Sequence, residues 1–436
     1  MLETIIGLKL KKEKSFLLAF AGTAGLQLFG RGLAVVTAIL FARILGPEEY
    51  GRYAFIISII TVSALPAMAG LPQLIVREVA RYRSNYEIGL LFGIKRWSTI
   101  YVLVLSLISI SILVFLIYIG FWNASVTSLL FAGLLLIPLK GLLPQQGAIL
   151  NGFQRPELAQ LPTLIISPLL TLISIFVLYV SMVEMNAKVL LLTQLFCTFC
   201  TVVLIFILIN LVFKESHVDR KKREYRLSSW QKSLLPFTVL AVVGTLNNEL
   251  ATLVLGFLGN DEAIGYFKVA VQGVTLLAIG LQAVNTVSGP RIAAMYNQGE
   301  IEKTQELLKQ SVRLSVISSV PFAILLIFLG EPLIRVLFGE AYVPAASLLS
   351  ILCCGQIVNV SMGSVALVLN MTGNEKKTLR AQLVTLCLTV SLLVYLIPLY
   401  HATGAAIAVS VSLVCWNVIM AFDVYRLTGL KTWLRF

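Results

Sequence analysis

Long apolar runs, broken by short polar stretches, occupy nearly the whole chain. The runs do not alternate as barrel strands would, and each is far longer than ten residues. A helix needs about 20 mostly apolar residues to cross a bilayer core. Twelve such segments are predicted, at 16–42, 53–72, 97–119, 126–150, 160–181, 189–213, 234–258, 264–288, 312–330, 344–369, 381–400 and 405–425. The basic start of the chain precedes an apolar run that continues to Ala42, which predicts a first transmembrane helix rather than a cleaved leader.

Composition agrees with this reading. Hydrophobic residues make up 58% of the 436 residues and charged residues only 13%, about half the charged share of a soluble domain. The net charge of +13 is accounted for by topology. With the N-terminus on the cytoplasmic side, 27 of the 34 Lys and Arg residues fall in inside segments. Four fall outside (Arg43, Arg52, Lys188 and Arg335) and three lie within spans. This asymmetry predicts twelve spans with both termini inside and calls for no nucleic-acid partner. All six cysteines sit in apolar runs, and the pair Cys197 and Cys200 lacks a second ligand pair, so no metal site is expected.

Three sequence echoes suggest an internal repeat. "ARILGPEEYGRYAF" (42–55) returns as "LGNDEAIGYF" (258–267), each closing one span and opening the next. Arg77 in "LIVREVARY" matches Arg291 in "GPRIAAMYN". Asn151 in "ILNGFQRPE" matches Asn370 in "VLNMTGNEKK". The shared order and near-constant offset predict an N-terminal six-helix bundle at 1–213, a basic cytoplasmic linker at 214–233 and a C-terminal bundle at 234–436. Parallel repeats of this kind commonly rock around a central site, which is an architecture for alternating access.

These turns, together with "RVLFGEAYVPAASLLSIL" (335–352), resemble those of the polysaccharide-export flippases. These form the Wzx-type, O-antigen branch of the multidrug/oligosaccharidyl-lipid/polysaccharide (MOP) exporter superfamily. The resemblance spans essentially the whole chain. It implies an all-α integral membrane protein of twelve helices in two six-helix bundles around a central cavity, as in the MATE-like fold. It further implies a bacterial inner membrane location and transfer of an undecaprenyl-pyrophosphate-linked oligosaccharide to the periplasmic leaflet. The implied partners are the lipid-linked oligosaccharide, membrane lipids, and a polysaccharide polymerase and glycosyltransferases. The chain has no spare apolar segments for a fourteen-helix form.

Ionisable groups inside a membrane span are costly and mark function by default. Arg31 lies about 22 Å of helical rise into the first span, on one face with Thr23 and Gln27. Its planar donors suit a pyrophosphate, although a structural pair with another helix is the alternative. Lys268, Gln272, Thr275, Gln282 and Thr286 keep one face of the eighth span and are expected to line the cavity, with Lys268 near the outer end. Lys268 could also snorkel to the interface. Lys140 is a candidate for an inner basic patch, in a helix that Gly141 and Pro144 could loosen. Glu249, on one face with Thr245, Asn248 and Thr252, is the acid deep within a span. It is a candidate coupling residue for H+ or Na+, or else a partner of Arg31 or Lys268. Gln356, Asn359 and Gly363, and likewise Gln382, Thr385 and Thr389, form polar faces that interhelical bonding would also explain.

Three basic residues against one deep acid favour an anionic substrate over the cationic drugs of a multidrug exporter, which is the alternative function. A membrane enzyme is disfavoured, with no catalytic residues and no cofactor expected. The longest hydrophilic stretch is about Lys214 to Lys232, and His217 and His401 have no metal-like partner. No G-x-x-x-x-G-K-[ST] pattern is present.

Overall fold

A computed structural model describes the backbone of residues 2–215 and 223–434, and side chains from Gly25 onward except those of residues 215 and 283. The expected basic linker falls partly on 216–222, which lie outside the described residues, as do His217 and the Thr23 side chain. Ten helical stretches among the described residues are long and apolar enough to cross a membrane. Two of them account for two spans each. The first helix, α1 (Leu2–Met68), is interrupted at Gly46, with φ 73° and ψ 172°. The last, α14 (Glu375–Thr428), is interrupted at His401, with φ 49° and ψ −127°. A straight helix as long as α14 would measure roughly 80 Å, more than twice a hydrocarbon core of about 30 Å. Counting α1 and α14 twice gives the twelve expected spans.

Between them run α2 (Leu71–Ser84), α3 (Ile88–Tyr118), α4 (Ala124–Gly133), α5 (Leu136–Gly152), α6 (Pro156–Leu161), α7 (Ser167–Val180) and α8 (Ala187–Glu215). The second half holds α9 (Leu227–Leu258), α10 (Asp261–Asn297), α11 (Ile301–Phe338), α12 (Ala345–Met362) and α13 (Val365–Met371). Local sequence explains the ends. Asn123 and Asn260 cap α4 and α10 by accepting hydrogen bonds from Val126 N and Ala263 N. A π-helical turn at Pro162–Ile166 joins α6 to α7. Proline at its start removes one backbone donor and so favours a widened turn.

Two details differ from expectation. The fourth span breaks at residues 134–135 rather than near Lys140, and Pro144 sits inside an intact α5. The tenth span ends α12 at Gly363, whose φ of 71° takes it out of the helix and off the face it was expected to share with Gln356 and Asn359. Asn359 instead joins two helices. Its side chain donates to Gln356 and accepts from Asn417 of α14, both at 2.9 Å.

Packing divides the chain into two units, 1–38 with 59–242, and 39–58 with 243–436. These differ in two places from the expected sequence halves. Residues 39–58, spanning the end of the first span and the start of the second, pack with the second unit. Residues 234–242 pack with the first. The physical reason is helix length and bending: α1 breaks at Gly46, so its middle packs with the second unit while both of its ends pack with the first, and the two ends of α9 fall in different units. The first unit centres on Leu71, Leu74, Ile75, Ile94, Leu150, Ile205 and Trp230. The second has a cluster around Ile292, Val368, Leu369, Ala381, Met420 and Val424.

Candidate functional site

In the second unit, the C-terminal half of α9 brings Glu249 to α10. The Lys268 ammonium lies 3.6 Å from Glu249 Oε2, with side chains 25% and 20% exposed. Ser58, fully buried, donates from Oγ to the same carboxylate oxygen at 2.6 Å. Of the two partners considered for Glu249, Lys268 is the one in place. The pair is half-buried, so a third polar group is needed to satisfy the carboxylate, and Ser58 supplies it. One turn along α9, Thr252 is fully buried with its hydroxyl unpartnered.

The polar stripe of α10 lies on its open side. Thr275, Gln282 and Thr286 are exposed or half-buried together with Lys268 and Gln272, whereas Val274, Leu277, Leu281 and Val284 are buried behind them. The threonines turn back on their own helix. Thr275 donates to the Gln272 carbonyl at 2.7 Å and Thr286 to that of Gln282 at 2.8 Å. The side-chain amides of Gln272 and Gln282 make no hydrogen bond among the described residues.

The other candidates belong to the first unit. Gln27 donates to the side-chain oxygen of Gln160 at 3.2 Å. One turn further along α1, half-buried Arg31 has no hydrogen bond or ion pair among the described residues. Lys140 donates to Thr61 Oγ1 at 2.8 Å, which ties α5 to the second span. A cleft of about 680 Å³ opens beside α2, α5, α6 and the N-terminal half of α9. Its lining includes Gln73, Arg77, Asn151, Gln160, Thr163 and Phe237.

Several contacts were not read from the sequence. At the first repeated turn, Arg52 bonds Glu48, Glu49 and Asp261, the last at 2.8 Å. The hydrogen bond to Asp261 is the main cause that raises the Arg52 pKa. Burial pushes the nearby Tyr50 phenol up to about 12. Glu78, 1% exposed, sits between Arg77 and Arg81. Trp230 Nε1 donates to Tyr82 Oη at 2.7 Å. The acid set among arginines at 77–81 was a visible signal for the Glu78 cluster. No local pattern announces Ser58.

No group of three or more His, Cys, Asp or Glu that could hold a metal ion occurs among the described residues.

The helical fold has counterparts among known proteins. A transporter described as an inward-facing multidrug resistance MATE family member of the MOP superfamily superposes with a TM-score of 0.73. That match has 13% identity and covers 93% of this chain and 98% of the other. The lipid II flippase MurJ, inward closed, gives a TM-score of 0.74 at 16% identity over 92% and 87% of the two chains. In sequence, the capsular polysaccharide biosynthesis protein CapF of Staphylococcus aureus is 24% identical over 178 residues, 41% of this chain. The chain spans 45% of the length of that curated relative. The resemblance drawn from the repeated turns is thereby borne out, as is the all-α MOP fold of a multi-pass membrane protein. The polysaccharide biosynthesis protein family model matches residues 40–347, well over half of the chain, and the protein belongs to that family.

Proposed function

We propose that the protein is a flippase carrying undecaprenyl-pyrophosphate-linked oligosaccharide repeat units from the cytoplasmic to the periplasmic leaflet for surface polysaccharide assembly. The observation that carries this reading is the polysaccharide family match across residues 40–347. Arg31 supports it. A guanidinium in an apolar helix with no protein partner among the described residues is costly, and a bound pyrophosphate would offset that cost by bidentate pairing. Gln27 in the first unit, and Gln272 and Gln282 in the second, are each available to sugar hydroxyls, and Lys140 in the first and Lys268 in the second are further cationic contacts.

Alternating access moves the headgroup while the polyprenyl tail stays in lipid. Glu249 is the coupling residue in this reading, taking H+ or Na+ when Lys268 is drawn away by an anionic headgroup. The location is the bacterial inner membrane with both termini cytoplasmic, where polymerase and glycosyltransferases act on the same lipid. A second reading, a cation-coupled multidrug exporter, is favoured by one observation, Glu249 as an acid set deep in a span.

The test is deletion of the gene in its own strain, followed by complementation with wild type, Arg31→Ala, Lys268→Ala and Glu249→Gln at matched membrane levels, with surface polymer as the readout. The flippase reading expects lost polymer and accumulated lipid-linked intermediate on the cytoplasmic face. Unchanged polymer on gene deletion, with increased drug sensitivity, would establish the exporter instead.

A further inference from the structure

The repeated asparagines are used differently in the two halves. In the second, Asn370 Oδ1 accepts a hydrogen bond from Thr378 Oγ1 at 2.9 Å. Thr378 follows Asn370 at the same spacing as Ala159 follows Asn151, and Ala159 has no hydroxyl to donate. Asn151, the match of Asn370, therefore makes no side-chain hydrogen bond among the described residues, and both Asn151 and Ala159 line the cleft of the first unit. The amide of Gln73 is exposed in the same cleft and is likewise without a side-chain partner among the described residues.

The rest of the lining has a consistent chemistry. Phe237 supplies an aromatic face, with the Arg77 guanidinium 5.6 Å from its centroid. Arg77 lines the cleft, with Nε and Nη2 both held by Glu78 Oε1 at 3.1 and 2.9 Å and no hydrogen bond at Nη1 among the described residues. Gln160 links the cleft to Gln27. Arg31 follows Gln27 by one helical turn, about 6 Å of rise. Most of the remaining wall is apolar, with a few fixed polar groups, as in small-ligand sites of several hundred Å³.

We propose that this cleft seats a neutral hexopyranose, the sugar attached directly to the pyrophosphate held at Arg31. A pyranose ring has an apolar C–H face and a rim of hydroxyls. Phe237 and the apolar wall match the face. The side-chain amides of Gln73, Asn151 and Gln160, each both donor and acceptor, match the rim. The fixed cation Arg77 disfavours a cationic occupant. The proposal rests on the flippase reading and deepens it by assigning a sugar subsite to the first unit.

The experiment measures equilibrium binding of two probes to the purified full chain in lipid nanodiscs. One probe is farnesyl pyrophosphate and the other is farnesyl pyrophosphate linked to a single hexose. The wild type is expected to bind the sugar-bearing probe about tenfold more tightly. Gln73→Ala and Asn151→Ala should remove most of that gain and leave bare-probe binding unchanged. Ala159→Thr should do the same by recreating the bond that occupies Asn370. Gln73 is exposed, so its variant keeps the test open should Asn151→Ala fold poorly. Arg31→Ala should weaken both probes alike. Equal binding of the two probes by the wild type, or cleft variants that weaken both equally, would overturn the sugar subsite alone. Failure of the wild type to bind either probe would overturn the flippase reading together with it.

Discussion

Gly51 and Gly265 each face the backbone of the other's turn. A methyl group added at Gly51 would lie 1.8 Å from the carbonyl oxygen of Asp261, and one added at Gly265 would lie 2.2 Å from that of Pro47. Gly265 follows Gly51 at the same offset by which Asp261 follows Pro47, so each glycine and each carbonyl has its counterpart in the other repeat. The contact is thus self-complementary between the repeats, like an isologous interface within one chain.

The obstacle at each glycine is rigid backbone, which cannot rotate away. We expect Gly51→Ala and Gly265→Ala each to destabilise the protein by about 1–3 kcal/mol, the usual cost of overpacking. Because both changes prise apart one contact, their effects should not add. Thermal unfolding of the detergent-solubilised variants checks this, and simple additivity of the two would refute a shared contact.

Glu249 and Lys268 should show a positive coupling energy. Removing one partner leaves a charge in a partly buried setting, whereas removing both leaves none. We expect Glu249→Gln and Lys268→Met singly to cost more stability than half of their combined loss would suggest, with an interaction energy on the order of 1 kcal/mol in a double-mutant cycle. Ser58→Ala should lower stability in the wild type and do much less in the Glu249→Gln background.

Tyr82 and Trp230 are both fully buried and joined by a single hydrogen bond. Tyr82→Phe keeps the ring and removes the acceptor, which orphans the indole N–H. We expect a loss of about 1–3 kcal/mol, the penalty for a buried unsatisfied donor. Trp230→Phe in the same background should recover part of it. Chemical denaturation of the single and double variants reads the difference.

His401 adopts φ 49° and ψ −127° at the break in α14. That region is one that only glycine enters without strain, and such strain costs on the order of 1–3 kcal/mol. We expect His401→Gly to raise the unfolding temperature, and an unchanged or lower value would show that the imidazole contributes a contact worth more than the strain.

Much of the fold was legible because its signals are local and periodic. Hydropathy located every span, and Gly46 marked the first tight turn through its place between two apolar runs. The open stripe on α10 followed from the spacing of Lys268, Gln272 and Gln282. Partner choice was less legible. Nothing near Ser58 in the sequence distinguishes it from the other hydroxyls of the second span, and Tyr82 and Trp230 find each other from distant parts of the chain. The breaks at 134–135 and at Gly363 also escaped, because packing rather than propensity decides where a long apolar helix yields.

The crossing of α9 has a consequence for how this chain can be divided. Its first turns, including Trp230, complete the core of the first unit, although they follow the linker and belong to the second stretch of sequence. A gene cut in the linker would therefore give two fragments that each lack a piece of their own interior. An amino-terminal fragment expressed alone would leave an empty socket beside Tyr82. Co-expressed fragments should be drawn together by that socket and recovered as one particle.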